Sequence, residues 1–141
     1  MRCRLSTGDV QFRHEFEAGV ISPASFNHRA HVRLAYVYLV DNETAAAQRL
    51  MQSALWSFLR RHGIETTKYH ETLTQAWILA VRHFMENTPD TASADAFIER
   101  NPALLDSKIM MSHYSAALLF SDEARARFVE PNLAPIPRHN G

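Results

Sequence analysis

The sequence predicts an all-α fold: a single-domain bundle of five to seven helices, spanning residues 1–141, with an extended proline-rich C-terminal arm over about 130–141. Apolar residues recur at spacings of three and four, which is the helical signature, and period-two alternation is absent. Glycine is scarce, at 4 residues. The chain has 141 residues, 46% of them hydrophobic and 21% charged, which suits one domain with a real core rather than a disordered chain.

A first helix over 9–18 offers Val10, Phe12 and Phe16 for burial, with Gly8 before it and Gly19 as its stop. Ser22-Pro23 makes a turn or a helix start. The second helix begins near 25–27 and runs to about 40; it is apolar nearly all round, which makes it central. Asp41-Asn42-Glu43-Thr44 is a turn. The third helix spans about 43–62, with Ala47, Leu50, Met51, Ala54, Leu55, Phe58 and Leu59 in one stripe and Arg60, Arg61 and His62 in its last turn. Gly63 and Ile64 have the pattern of a Schellman ending.

A fourth helix, capped by Thr66 or Thr67, covers about 68–86. Leu73, Ala76, Trp77, Ala80, Val81 and Phe84 form its core stripe, and Lys68, Glu71, Thr72, Gln75, Arg82 and Glu86 its polar one. A short helix over 93–99 comes next, then another opened by Asn101-Pro102 and carrying Leu104, Leu105, Ile109 and His113. Ser121-Asp122-Glu123 starts a last helix through Phe128. Pro131, Pro135 and Pro137 force the arm.

Composition narrows the function classes. Fifteen Lys and Arg balance fifteen Asp and Glu, whereas a general nucleic-acid binder needs a basic excess. One cysteine, Cys3, rules out an internal disulfide and a Cys-rich zinc module, and fits a cytoplasmic protein. The opening residues have no apolar signal core, and the longest apolar runs fall well short of a membrane span of ~20 residues. Gly-rich phosphate loops, GxSxG, HExxH, CxxC and paired Glu-x-x-His motifs are all missing from the sequence.

Eight histidines remain as the chemical signal. His28 and His31, three apart, share one helix face that continues into Ala35 and Tyr38. His70 precedes Leu73, Thr74 and Trp77 on the core face of the fourth helix and needs a polar partner if buried. In an up-down bundle alternate helices run parallel, so the starts of the second and fourth helices share one end. His28, His31 and His70 are therefore candidate ligands of a divalent transition metal, zinc or iron first, nickel or copper next. Glu71 is a candidate ligand or general base, and His113 and Tyr114 are candidate accessory groups. Without metal, the imidazoles act as acids and bases near neutrality.

Plainer accounts stand beside these. His28 and His31 serve equally as core histidines bonded to backbone or to Tyr38, and His70 as a helix-start histidine satisfied by a loop carbonyl. Glu71 suits the first turn of its helix as a dipole-favoured acid, and His113 caps carbonyls. His62 reads as a C-terminal cap, and His14, His83 and His139 as surface residues. Tyr36, Tyr38, Trp77 and Met110-Met111 read as core. Arg33 is placed to bind a substrate carboxylate or to pair with Glu71. Cys3 is a poor nucleophile candidate.

The blocks Phe26-Asn27-His28-Arg29-Ala30-His31-Val32-Arg33-Leu34-Ala35-Tyr36, Tyr69-His70-Glu71-Thr72-Leu73-Thr74, Asn101-Pro102-Ala103-Leu104-Leu105-Asp106 and His113-Tyr114-Ser115, with Ala124-Arg125-Ala126-Arg127-Phe128-Val129 after them, resemble a group of small bacterial helical proteins. The likeness runs from about Phe26 to Pro137. It implies a stand-alone bacterial protein and brings no activity with it.

Two functions are expected from these residues. The first is a metal-dependent enzyme acting on a small organic molecule through the histidine site. The second is a non-catalytic module that binds a small ligand or forms a homodimer, its histidines being satisfied pocket residues. Trp56, off the stripe of the third helix, would mark a contact surface.

Overall fold

The computed structural model describes residues 2–139; Met1, Asn140 and Gly141, the last two at the tip of the expected arm, lie outside the described residues. The fold is all-α, as expected, with seven α-helices and four short 3₁₀ turns among the described residues.

Helix α1 (Thr7–Glu17) starts earlier than the glycine at position 8 suggests, because Ser6 and Asp9 form a capping box. It ends at Gly19, whose φ is +78° and where Val20 N–H reaches the Glu15 carbonyl at 2.9 Å. A Cβ on Gly19 would also meet Arg61 Cδ at 2.8 Å. Helix α2 (His28–Asp41) is capped by Asn27, whose side chain accepts Ala30 N–H. Val32, Leu34 and every residue from Ala35 to Leu39 are buried, so α2 is the central rod. Its far end is closed by Arg82, which donates to the carbonyls of Leu39 (3.2 Å) and Asn42 (2.7 Å). Arg82, expected on a solvated stripe, is thus a cap supplied from another helix.

Helix α3 (Thr44–Arg61) closes as the sequence indicates: Gly63 has φ +67°, and Ile64 N–H bonds to the Leu59 carbonyl. Helix α4 (Glu71–Glu86) begins three residues later than expected. Thr66–Lys68 form a 3₁₀ turn and Tyr69 is extended. His70, not a threonine, is the N-cap, its Nδ1 accepting Leu73 N–H at 3.1 Å. Helices α2, α3 and α4 pack on one another, and α1 lies across α2 and α3.

After α4 the chain departs most from expectation. Helix α5 (Ala94–Arg100) is present, capped by Ser93. The expected helix through His113 is instead two 3₁₀ turns, Pro102–Leu105 and Ser107–Ser112, split by extended Asp106, whose carboxylate accepts Lys108 N–H. Helix α6 (Ala116–Leu119) is a single capped turn that periodicity does not announce. Helix α7 (Asp122–Ala126) ends short of Phe128 because Thr72 captures the chain on either side of that residue: its hydroxyl donates to the Arg127 carbonyl and accepts Val129 N–H. Thr72, read as polar stripe, is fully buried.

The arm wraps rather than frays. Ile136 is buried, Leu133 N–H donates to the His113 carbonyl, and Asn132 brackets Ser115. At the other terminus, Arg4 N–H and Thr91 N–H pair residues 2–4 with Thr91, and Tyr36 Oη donates to the Arg4 carbonyl. Among the described residues no helix is long and apolar enough to cross a membrane.

Candidate functional site

The start of α2, the last two turns of α3 and the start of α4 line an open-mouthed cavity of about 360 Å³. Three consequences of the sequence place it. Asn27 fixes the first turn of α2 and brings His28 and His31 to one wall. The late start of α4 leaves Lys68, at the end of the 3₁₀ turn, with Tyr69 and His70 as a segment outside the α-helix that forms a second wall. Leu55 and Leu59, four apart on α3, form a third with Phe58. Trp77 is only 4% exposed and lies two turns into α4.

His28, His31 and His70 all line this cavity, so the two helix starts do share one end of the bundle. Their nitrogens are engaged differently. His28 Nε2–H donates to the Leu104 carbonyl at 2.9 Å, and its ring meets Trp77 edge-on, with centroids 4.7 Å apart. The His31 ring contacts Phe26 and His28 and makes no hydrogen bond among the described residues. Burial pushes its pKa down to about 4, with His28 as the lesser cause, so it is neutral near pH 7. His70 spends both nitrogens: Nδ1 accepts Leu73 N–H, and Nε2–H donates to the Leu119 carbonyl at 2.7 Å. Desolvation is the chief cause that holds its pKa below the usual value.

This geometry bears on the ligand role drawn for His70. A metal ligand needs a lone pair on a ring nitrogen, and His70 has already given that lone pair to its own helix. Among the described residues no group of three or more His, Cys, Asp or Glu side chains is arranged to hold a metal ion. As hydrogen-bonded here, His70 offers no free nitrogen lone pair to the expected three-imidazole site.

The other candidates lie elsewhere. Glu71 accepts from Tyr69 Oη and from Gln75, and lines a separate polar cleft of about 250 Å³ with Trp56, Asp122 and Arg125. Tyr69 is the wall between that cleft and the histidine cavity. His113 Nδ1–H donates to the Ala134 carbonyl at 2.7 Å, and Tyr114 Oη to the Val129 carbonyl at 2.7 Å. Tyr114 is fully buried, and its phenol is pushed up to about 12, chiefly by desolvation. Both residues fasten the arm, and neither lines the cavity. Arg33 pairs with Asp9 rather than Glu71. His83 and His139, read as surface, meet nitrogen to nitrogen at 2.9 Å. Trp56 is 38% exposed and leans on Tyr69.

Sequence reasoning missed Lys68, Tyr69 and Ser107 as cavity walls and counted Leu55, Phe58 and Leu59 only as core. The one available signal was the i, i+4 pair Leu55 and Leu59, which faces the same neighbour whether that neighbour is a side chain or a ligand. No protein-family model, no curated protein and no solved structure matches this chain.

Proposed function

We propose that the protein binds a small organic molecule in the cavity between α2, α3 and α4, with His28 and His31 as its polar contacts. One observation carries this reading: a single concave site combines aromatic walls from Phe26, Phe58 and Trp77 with three imidazoles, of which His28 and His31 are free of the α4 cap. Binding sites have this composition, mostly apolar with a few placed polar groups, and volumes of about 300–1,000 Å³. His70 belongs to the frame, since its two hydrogen bonds hold α4 in place.

The test is a ¹H–¹⁵N and imidazole NMR titration of the whole chain with 3-phenylpropanamide and related uncharged aryl probes. Saturable shifts centred on His31, Thr74 and the Trp77 indole are expected. Shifts that never saturate, or that spread over the surface, would sink the reading.

The metal-dependent enzyme is the second reading. The meeting of three imidazoles in one cavity supports it, and the engaged nitrogens of His70 weigh against it. Elemental analysis of tag-free protein separates the two. Stoichiometric zinc or iron that disappears in His28→Ala and His31→Ala would favour the metal.

A further inference from the structure

The cavity has an uncompensated charge at its mouth. Lys68 is its one Lys or Arg, and no Asp or Glu lines it. The five side-chain ion pairs among the described residues all use arginine, and Lys68 takes part in none of them. The neighbouring concavities differ. The cleft of about 450 Å³ beside α1 contains Arg29 and Arg33, already paired with Asp95 and Asp9. The cleft around Glu71 sets Arg125 beside Glu71 and Asp122. The first is balanced by its own ion pairs, and the second is acidic on balance, with two carboxylates against one arginine.

Polarity within the cavity is graded. Lys68 and Ser107 are exposed at the rim, whereas Trp77 and His70 are buried at 4% and 8% exposure. Deep polar capacity is small: the N–H groups of His28 and His70 are spent on Leu104 and Leu119, and Thr74 Oγ1–H on the His70 carbonyl, which leaves the His31 ring, held neutral by burial, as the one imidazole there without a hydrogen bond among the described residues. A charged group therefore has one favourable place, the rim. A single ammonium without an arginine fork or a cradle of backbone amides suits a monoanion better than a phosphate.

Resting on the small-molecule reading above, we propose that the ligand is a monocarboxylate with an apolar ring or branched body, its carboxylate beside Lys68 and its body against Trp77. The site selects for negative charge at one end and for shape at the other.

The experiment compares 3-phenylpropanoate, 3-phenylpropanamide and 3-phenylpropylamine by the same NMR titration. The carboxylate should bind about two- to fivefold tighter than the amide, as one partly exposed ion pair allows. The amine should bind weakest. Lys68→Gln, at an exposed position, should bring the carboxylate down to the amide while leaving the amide unchanged, and added salt should do the same. Equal affinity for carboxylate and amide would overturn the proposal while leaving the cavity a binding site. A carboxylate preference that survives Lys68→Gln would also overturn it. If none of the three compounds moves cavity resonances, the small-molecule reading falls with it.

Discussion

His70 Nε2–H donates to the backbone carbonyl of Leu119, 49 positions away, at 2.7 Å, while the same ring caps α4 through Leu73 N–H. One imidazole thereby joins the entry of α4 to the end of α6. His70→Ala should cost about 2–4 kcal/mol, the sum of a lost cap and a buried carbonyl left unpaired. His70→Asn keeps capping chemistry and should lose about half of that. Urea denaturation of both variants checks the order.

Asp9 is 1% exposed and receives Ser6 N–H, Ala94 N–H and Arg33 Nε. It ties the starts of α1 and α5 to α2. Asp9→Ala strips partners from two amides and leaves Arg33 without its counter-charge. A loss of about 3–5 kcal/mol in the urea midpoint analysis is expected. A loss below about 1 kcal/mol, the scale of an exposed pair, would show that the hub does not hold these elements.

Acid should weaken the fold through His31. Its pKa is about 4 in the folded state, against 6.5 for the free side chain. The folded state therefore binds fewer protons than the unfolded one between these values, and stability rises with pH across that window. The contribution is complete above about pH 6.5 and falls by roughly 3 kcal/mol by pH 4. Carboxylates also titrate there, so the measurement is the difference between the native chain and His31→Gln. The variant should have the shallower pH dependence.

His62 Nε2 is buried with no hydrogen-bond partner among the described residues, and its ring lies on Phe58 at 4.6 Å. Its backbone (φ −97°, ψ 9°) suits any side chain. His62→Leu should therefore stabilise the protein by about 1 kcal/mol, since an unpaired buried polar atom is removed and the apolar contact is kept. A thermal melt reads this as a raised Tm.

Thr72→Val removes the hydroxyl that holds both Arg127 and Val129. Hydrogen exchange should quicken from Val129 through Ile136 while α2 and α3 keep their protection. Tyr114→Phe, which releases the Val129 carbonyl, should act on the same stretch.

The fold is legible where helices carry their own punctuation. Gly63 with Ile64 marks the end of α3, and the unbroken apolar run of α2 marks the centre. Legibility fails where a distant partner decides. Thr72 looks solvated in its own helix, and only the returning chain makes it buried. Arg82 likewise belongs, by function, to α2. The start of α4 is hidden because threonine is the commoner cap, and nothing local says that an imidazole will take that position. For the site, helix parity puts His28, His31 and His70 at one end of the bundle. Spacing says nothing about which ring nitrogens are already taken, and that decides between ligand and cap.

The partners of His70 and Thr72 have a further consequence. Leu119, Arg127 and Val129 lie 49 to 57 residues downstream of the α4 segment they secure. Such long loops close late, after local helix formation. During synthesis the first four helices can collapse on one another while the mouth of the cavity still lacks its fastening. On the proposed reading, competence to hold a ligand should then arrive as a separate, final event, and a stalled or shortened chain should look helical by circular dichroism yet fail to bind the proposed carboxylate.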